Sequence, residues 1–329
     1  MSKAEKFLLE HIRPATDEDR AKLPMFSFSR LEQYKNCPMS YKLKYVDEKV
    51  TNDTSLALEL GSLCHYVLEM KGKMLKEGKV DYYTLRKLLD DGLKNANEDN
   101  NKPTEEMLGI KALRKKYFEE WGVIDPSSGM NYDQKTDLFW NKIVQTEMED
   151  GSGWVPEAFE KYFEFVFDDR AILHGFVDRI DVMGGMYRVV DYKTSKKVYD
   201  QTKLNSSLQF GIYAMAALLE YGQLPIEYRY RFILLDKFQT ALSVGWQQRV
   251  TKHLVDLLNC IDHDHKENEF KPDPSPLCHW CNYCSHNPQA TQYKLECPYY
   301  SLWTPDKKTF KVNREWSPDD PLRNRKLIF

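Results

Sequence analysis

The chain has 329 residues, 42% of them hydrophobic and 29% charged, with a formal net charge of -3. That length allows one large domain or two ordinary ones with a substantial core. The near-neutral balance excludes a wholesale basic coat for nucleic acid and leaves room for a local basic groove. No apolar run approaches the roughly 20 residues that a transmembrane helix needs. The opening "MSKAEKFLLEHIRPATDEDR" lacks the long apolar stretch of a secretory leader, so a soluble cytoplasmic protein with no membrane contact is expected.

In chain order, residues 1–26 read as an arm and 27–70 as the first part of a domain. "FSFSRLEQYKNCP" opens a helix, with Ser29 and Glu32 spaced as a capping box and Pro38 as the break. A second helix covers "ALELGSLCHYVLEMKGKML". Residues 71–150 carry a polar helical pattern broken at "NEDNNKP" and "DPSSGMN", and read as a helical insertion. The domain resumes over 151–300. A strand is expected at "KYFEFVFDD", where Tyr162, Glu164 and Val166 alternate with Phe163, Phe165 and Phe167. A hairpin follows, then a helix at "SLQFGIYAMAALLEYG", strands at "IEYRYRFILL" and "TALSVGW", and an amphipathic helix to about Asp264. The proline-rich "KPDPSPL" leads into a cysteine cluster, and 301–329 reads as an extended tail. The fold class is α/β, a central mixed sheet flanked by helices.

The hairpin "LHGFVDRIDVMGGMYRVVDYKTSK" places three aspartates in a half-buried sheet. Gly184-Gly185 is a two-residue turn signal. With the turn centred there, Asp178 stands opposite Asp191, Phe176 opposite Lys193, and Asp181 opposite Arg188 on the other face. The last pair reads as an ordinary cross-strand ion pair. Two opposed carboxylates on an apolar face destabilise a sheet, and burying them unpaired costs several kcal/mol, unless a cation joins them. A divalent metal between Asp178 and Asp191, with Lys193 beside it, is therefore expected rather than a purely structural ion-pair cluster. His65, four residues after Gly61 on the second helix, adds an imidazole that suits Mn²⁺ somewhat better than Mg²⁺. The glycine is expected to let the chain approach beneath that ring. Gln209 and Tyr213 share one helix face four residues apart and could contact phosphate or orient water.

Seven cysteines is an odd number, and Cys278, Cys281, Cys284 and Cys297 fall close together. In a reducing compartment this spacing reads as a metal site rather than disulfides. Taken locally it is a zinc knuckle of four thiolates, with His279 and His286 as alternates. Cys64 and Cys260, on helices, read as plain buried thiols.

"GSLCH", "GFVDRID", "DYKTS" and "QFGIY", in that order, resemble the RecB-type branch of the PD-(D/E)XK nuclease superfamily and its restriction-endonuclease-like core. The resemblance covers roughly 27–70 and 157–300. It implies that His65, Asp178, Asp191 and the backbone carbonyl of Tyr192 bind Mg²⁺ or Mn²⁺. It gives Lys193 the attacking water, and Gln209 and Tyr213 the DNA strand or completion of the site; beside a metal and partly desolvated, Lys193 is expected to have a depressed pKa. Arg179 and Asp181 match the pattern with structural ion pairs expected of them, and Glu160 corresponds to an acid found one strand earlier. It further implies a 4Fe–4S cluster on Cys37, Cys278, Cys281 and Cys297, with Cys284 as an alternate last ligand and zinc as the alternative metal.

Basic residues alternate with rings at "KALRKKYFEEW", "YKTSKKVYDQTK" and "DKKTFKVNREW", a pattern that suits single-stranded DNA next to the lysine site. The terminal "RKLIF" is weighed as a docking motif for a replication or recombination partner. The activity this implies is a metal-dependent exonuclease acting at DNA ends or on single strands. The alternatives are a nuclease that trims DNA for CRISPR adaptation, a non-catalytic DNA-binding scaffold, and a zinc-dependent nucleic-acid binder.

Overall fold

The computed structural model describes residues 1–50, 56–85, 129, 134, 141–143, 152–195, 197–205, 207–242, 246–273, 275–284, 292–293 and 296–297. Most of the expected insertion, the basic stretches near 111–121 and 306–316, and the whole 301–329 tail lie outside the described residues. The elements begin with α1 (Lys3–Leu9), β1 (Ile12–Pro14), α2 (Asp17–Lys22), β2 (Met25–Ser27), α3 (Phe28–Asn36), α4 (Pro38–Tyr45) and α5 (Leu56–Lys76). Then come β3 (Val155–Phe167), β4 (Ala171–Met183), β5 (Met186–Lys193), α6 (Gln201–Asn205) and α7 (Leu208–Tyr221). They close with β6 (Glu227–Phe232), β7 (Lys237–Leu242), α8 (Gln247–Glu267) and a 3₁₀ turn at Pro276–Trp280. Among the described residues, no helix is long and apolar enough to cross a membrane.

The chain divides into two compact units. One comprises Met1–Glu5, Ser55–Phe163 and Gly175–Gly245; the other comprises Lys6–Thr54, Glu164–His174 and Trp246–Phe329. The long strands β3 and β4 pass from one into the other. In the first unit the strand order is β3-β4-β5-β6-β7, with β5 and β6 parallel and Asp191 opposite Tyr230. In the second, β1 pairs antiparallel with the end of β3 and β2 parallel with the start of β4. The sheet is therefore mixed, as the sequence implies.

The buried run Val189 to Tyr192 makes β5 a central strand, covered on both faces. Val190 and Tyr192 join the apolar stripe of α5, Leu63, Cys64, Val67 and Leu68, together with Ile233. Those α5 positions recur at helical spacing, so one face is buried. The opposite parity meets α7: the Phe210 ring stacks on Tyr230 with centroids 4.4 Å apart. Helix α7 is capped by the Ser207 hydroxyl, which accepts from the Phe210 N–H, and is stopped by Gly222 at φ +71°.

One glycine is fixed by packing. A Cβ on Gly72 of α5 would sit 2.2 Å from the Phe159 ring, far inside contact distance. Gly72→Ala should destabilise the protein by about 1–3 kcal/mol through overpacking, despite alanine's better helix propensity. Urea unfolding measures it, and unchanged or increased stability would show that the ring yields freely.

In the second unit, α3 starts two residues earlier than the Ser29–Glu32 spacing predicts. Ser27, not Ser29, is the cap: its hydroxyl accepts from the Arg30 N–H, and Ser29 lies inside the helix with its hydroxyl 3.0 Å from that of Ser27. Cys37 is extended between the helices and Pro38 opens α4, where its missing N–H costs nothing. Tyr34 donates to the buried Asp264 carboxylate at 2.6 Å, fixing α3 to α8.

Candidate active site

The β4–β5 turn has Gly184 and Gly185 at φ +56° and +80°, the geometry that only glycine adopts cheaply at both central positions. The pairing runs from Met183–Met186 through Asp181–Arg188 to Arg179–Val190, in the register expected from the sequence. Beyond Arg179–Val190 the ladder gives way to a side chain. The Tyr192 N–H donates to Asp178 Oδ2 at 2.7 Å. Asp178 and Asp191 thus meet where the two strands stop exchanging backbone hydrogen bonds.

Both acids are buried, Asp178 to 7% exposure and Asp191 to 1%. Burial, then the charge of Asp178, pushes the Asp191 carboxyl up to about 6. Burial works the same way on Asp178, but His65, the Tyr192 N–H and Lys193 outweigh it and hold its pKa below the usual carboxylate range. The two carboxylates therefore have unequal protonation preferences within one small site.

His65 extends from α5 with Nδ1 3.4 Å from Asp178 Oδ2 and 3.7 Å from Glu160 Oε1, its ring edge against Tyr192. Burial lowers its pKa, but Asp178 and Glu160 bring it well above the ordinary histidine value. Glu160 reaches this position through a backbone irregularity. It has φ +42° in the middle of β3, a conformation costly for a side-chain-bearing residue. Period two should put Phe159 and Phe163 on one face, yet Phe159 packs in the α5 cluster while Phe163 meets Tyr213 of α7, centroids 5.9 Å apart. The left-handed residue is where the strand changes face, and it aims its carboxylate at His65. No sequence pattern marks that irregularity.

Lys193 Nζ lies 2.6 Å from Asp191 Oδ2, an ion pair made off the direction of that oxygen's hydrogen bonds, so Asp191 Oδ2 is buried without a well-aligned donor. Lys193 also donates to Gln209 Oε1 at 3.4 Å, and Gln209 Nε2 donates to the Tyr213 hydroxyl at 2.8 Å. The spacing of Gln209 and Tyr213 on α7 thus forms a relay ending on the lysine. The ammonium lies 4.9 Å from the Tyr230 ring centroid, a contact that sequence reasoning missed. The depressed pKa expected of Lys193 belongs to the metal-bound site; without a metal the direction is the opposite. Burial pulls it down, but Asp191 and its other neighbours prevail and raise it.

One expectation is corrected. Gly61 does not sit beneath the imidazole; a Cβ there would meet the Thr194 hydroxyl at 3.5 Å, so the glycine makes room for the residue after Lys193. The cross-strand ion pair expected between Asp181 and Arg188 forms, and it is buried. Asp181 is fully buried and accepts from Arg179 Nε at 2.5 Å and from Arg188 Nε at 2.9 Å, with Arg188 over the Trp154 ring. This array locks β4 to β5 directly behind the acids.

The donor set fits a hard divalent cation. The ligand atoms of His65, Glu160 and Asp178 lie within 4.8 Å of one another, and Asp191, with a buried oxygen that lacks a well-aligned donor, lies within electrostatic reach of Asp178. Carboxylate oxygens with one imidazole match Mg²⁺ or Mn²⁺ chemistry.

The cysteines of the second unit form a separate locus. Cys37 Sγ accepts the Asp273 N–H at 3.4 Å and lies within electrostatic reach of Cys281 and Cys297. Cys278 and Cys284 share a hydrogen bond, which with backbone donors brings the Cys278 thiol down to about 6. The Cys297 N–H donates to the Tyr283 carbonyl at 3.0 Å, bringing the distant cysteine to the turn that holds the others. No disulfide joins any of them. Cys64 is fully buried as expected, whereas Cys260 is only partly so.

A mixed sheet flanked by helices, with paired acids and a lysine where a central hairpin parts, is the arrangement of a nuclease core. Residues 25–287 match the PD-(D/E)XK nuclease superfamily, and the chain belongs to it. The chain is 30% identical over 211 residues to the gene 69 protein of Mycobacterium phage D29, covering 61% of this chain and 71% of that one. It is 27% identical over 306 residues to the gene 69 protein of Mycobacterium phage L5, covering 83% and 98%. It is 28% identical over 202 residues to an ATP-dependent helicase/deoxyribonuclease subunit of Clostridium perfringens strain SM101, covering 58% of this chain but only 17% of that longer protein. A solved structure from Eubacterium rectale, provisionally named an exonuclease, aligns with 84% of this chain and 94% of its own at 13% identity and a TM-score of 0.45.

Proposed function

We propose that the protein is a metal-dependent deoxyribonuclease, an exonuclease working at DNA ends or on single strands in replication, recombination or repair. The observation that carries this reading is the buried Asp178–Asp191 pair, set at the end of a ladder with Lys193 on it. A structure built only for stability would gain by replacing one of those acids. His65, Glu160, Asp178, Asp191 and the Tyr192 carbonyl would hold Mg²⁺ or Mn²⁺. When bound, that ion neutralises phosphodiester charge and lowers the pKa of water. The residues of the chain supply the rest. The Tyr192 N–H fixes the Asp178 carboxylate, and Glu160 orients the His65 imidazole. Lys193, protonated, offers its charge and N–H groups to a phosphate oxygen or to the attacking water. Gln209, braced by Tyr213, sets the position of that ammonium. The name of the clostridial helicase/deoxyribonuclease relative supports DNA as the substrate.

The test is digestion of 5′- and 3′-labelled single- and double-stranded DNA with Mg²⁺, Mn²⁺ or EDTA. Metal-dependent ladders starting from an end are expected. Internal cuts would replace the exonuclease reading with an endonuclease, and a trimmed product of fixed length would favour the CRISPR-adaptation type. Binding of DNA without any cleavage would leave a scaffold.

For the cysteines the proposal is a 4Fe–4S cluster on Cys37, Cys278, Cys281 and Cys297 rather than zinc. The reach of Cys37 toward Cys281 and Cys297 supports Cys297 as the last ligand, and Cys284, beside Cys278, stays the alternate. Protein purified without air should be brown, absorbing near 400 nm. Cys37→Ser should lose the colour and lower the melting temperature by about 10 °C or more, because the cluster ties distant parts of the chain. A colourless protein containing stoichiometric zinc would refute the cluster.

A further inference from the structure

Beside the carboxylates stand two large rings that the chemistry above does not use. Phe176 on β4 is 53% exposed and Tyr162 on β3 is 45% exposed, and their centroids lie 5.2 Å apart with the planes tilted by 59°. Scattered exposed apolar residues need no explanation. A pair joined across two strands, next to a buried acidic site, is different. Period two puts Phe176 on the same face of β4 as Asp178, about 7 Å farther along. On β3, Tyr162 likewise lies two residues beyond Glu160, and its ring meets that of Phe176. Each acid is thus followed by a ring, in the direction away from the hairpin turn.

The platform is held from beneath. A Cβ on Gly175 would meet the Phe163 ring at 3.2 Å, and Phe163 in turn packs edge-on against Tyr213. The strands under Phe176 are therefore fixed to the helix that carries Gln209 and Tyr213.

The two-residue step from Asp178 to Phe176, about 7 Å, is of the order of one nucleotide step along a single strand. We propose that Phe176, backed by Tyr162, stacks on the nucleobase adjacent to the cleaved phosphate of a single strand. The patch is only two rings wide, which fits a base better than a protein surface. A base paired within a duplex has both faces covered by stacking, so the contact favours single strands with little regard to sequence. This inference rests on the nuclease reading above, and its test separates the two.

The full-length protein is assayed on single-stranded oligonucleotides, comparing wild type with Phe176→Ala and Phe176→Trp. Phe176→Ala is expected to raise KM about ten-fold with kcat within about two-fold, and Phe176→Trp to keep the wild-type KM. An abasic nucleotide next to the cleaved bond should raise the wild-type KM by a similar factor and add nothing in Phe176→Ala. Equal KM values for wild type and Phe176→Ala, or an abasic penalty that persists in that variant, would overturn the proposal. A second arm needs no cleavage: 2-aminopurine at the same position, bound in EDTA, should be quenched by wild type and not by Phe176→Ala. If wild type cuts no substrate, the nuclease reading falls, and this arm alone decides the stacking: quenching lost in the variant supports it, and identical fluorescence refutes it.

Discussion

Asp191→Asn should lower metal-dependent cleavage by about 10³-fold or more while leaving the metal-free protein as stable as wild type, or more stable. The two effects have one cause. Burial and the charge of Asp178 make the Asp191 carboxylate unfavourable where it stands, and a neutral amide relieves that cost. The same substitution removes a cation ligand and the partner that seats Lys193. Lys193→Ala should lose activity comparably. It should not gain stability, since it leaves the buried Asp191 without its counter-charge. Cleavage rates and melting curves of both variants, recorded with EDTA and with Mn²⁺, check this. An Asp191→Asn protein that is both inactive and several degrees less stable would mean that the acid pair is structural.

The largest loss of stability is expected at Asp181. Its carboxylate is fully buried between Arg179 and Arg188, with Arg188 itself 1% exposed. Asp181→Ala leaves two buried guanidinium groups facing each other, at a cost of about 3–5 kcal/mol. Replacing the acid with asparagine keeps some hydrogen bonds and should cost less. Urea unfolding separates these outcomes, and a loss under about 1 kcal/mol for Asp181→Ala would show that water reaches the arginines. The array lies behind the acids, so partial unfolding there should also loosen the site.

Much of this site is legible in the sequence because a hairpin converts spacing into position. Gly184-Gly185 locates the turn, period two assigns the faces, and the register, paired as far as Arg179–Val190, points Asp178 toward Asp191. Helical spacing likewise joins Gln209 to Tyr213. What spacing does not encode is irregular backbone and depth. The left-handed Glu160 alters the face of β3 without any glycine or proline to announce it. Arg188, which pairs with the buried Asp181, lies over the ring of Trp154, just ahead of β3 and far away in sequence. The sign of the Lys193 shift depends on a 2.6 Å contact, which a motif cannot specify. Helix α3 is capped at Ser27 although Ser29 and Glu32 satisfy a capping pattern, because the backbone is already helical at Ser29.

The central claim is that His65, Glu160, Asp178 and Asp191 hold one divalent-cation site. Calorimetric titration of the protein with Mn²⁺ tests it most directly, set beside Glu160→Gln and Asp178→Asn. Saturable binding weakened about ten-fold or more in Glu160→Gln, and lost in Asp178→Asn, is the predicted result. Binding of equal affinity in all three proteins would place the cation elsewhere and contradict the claim.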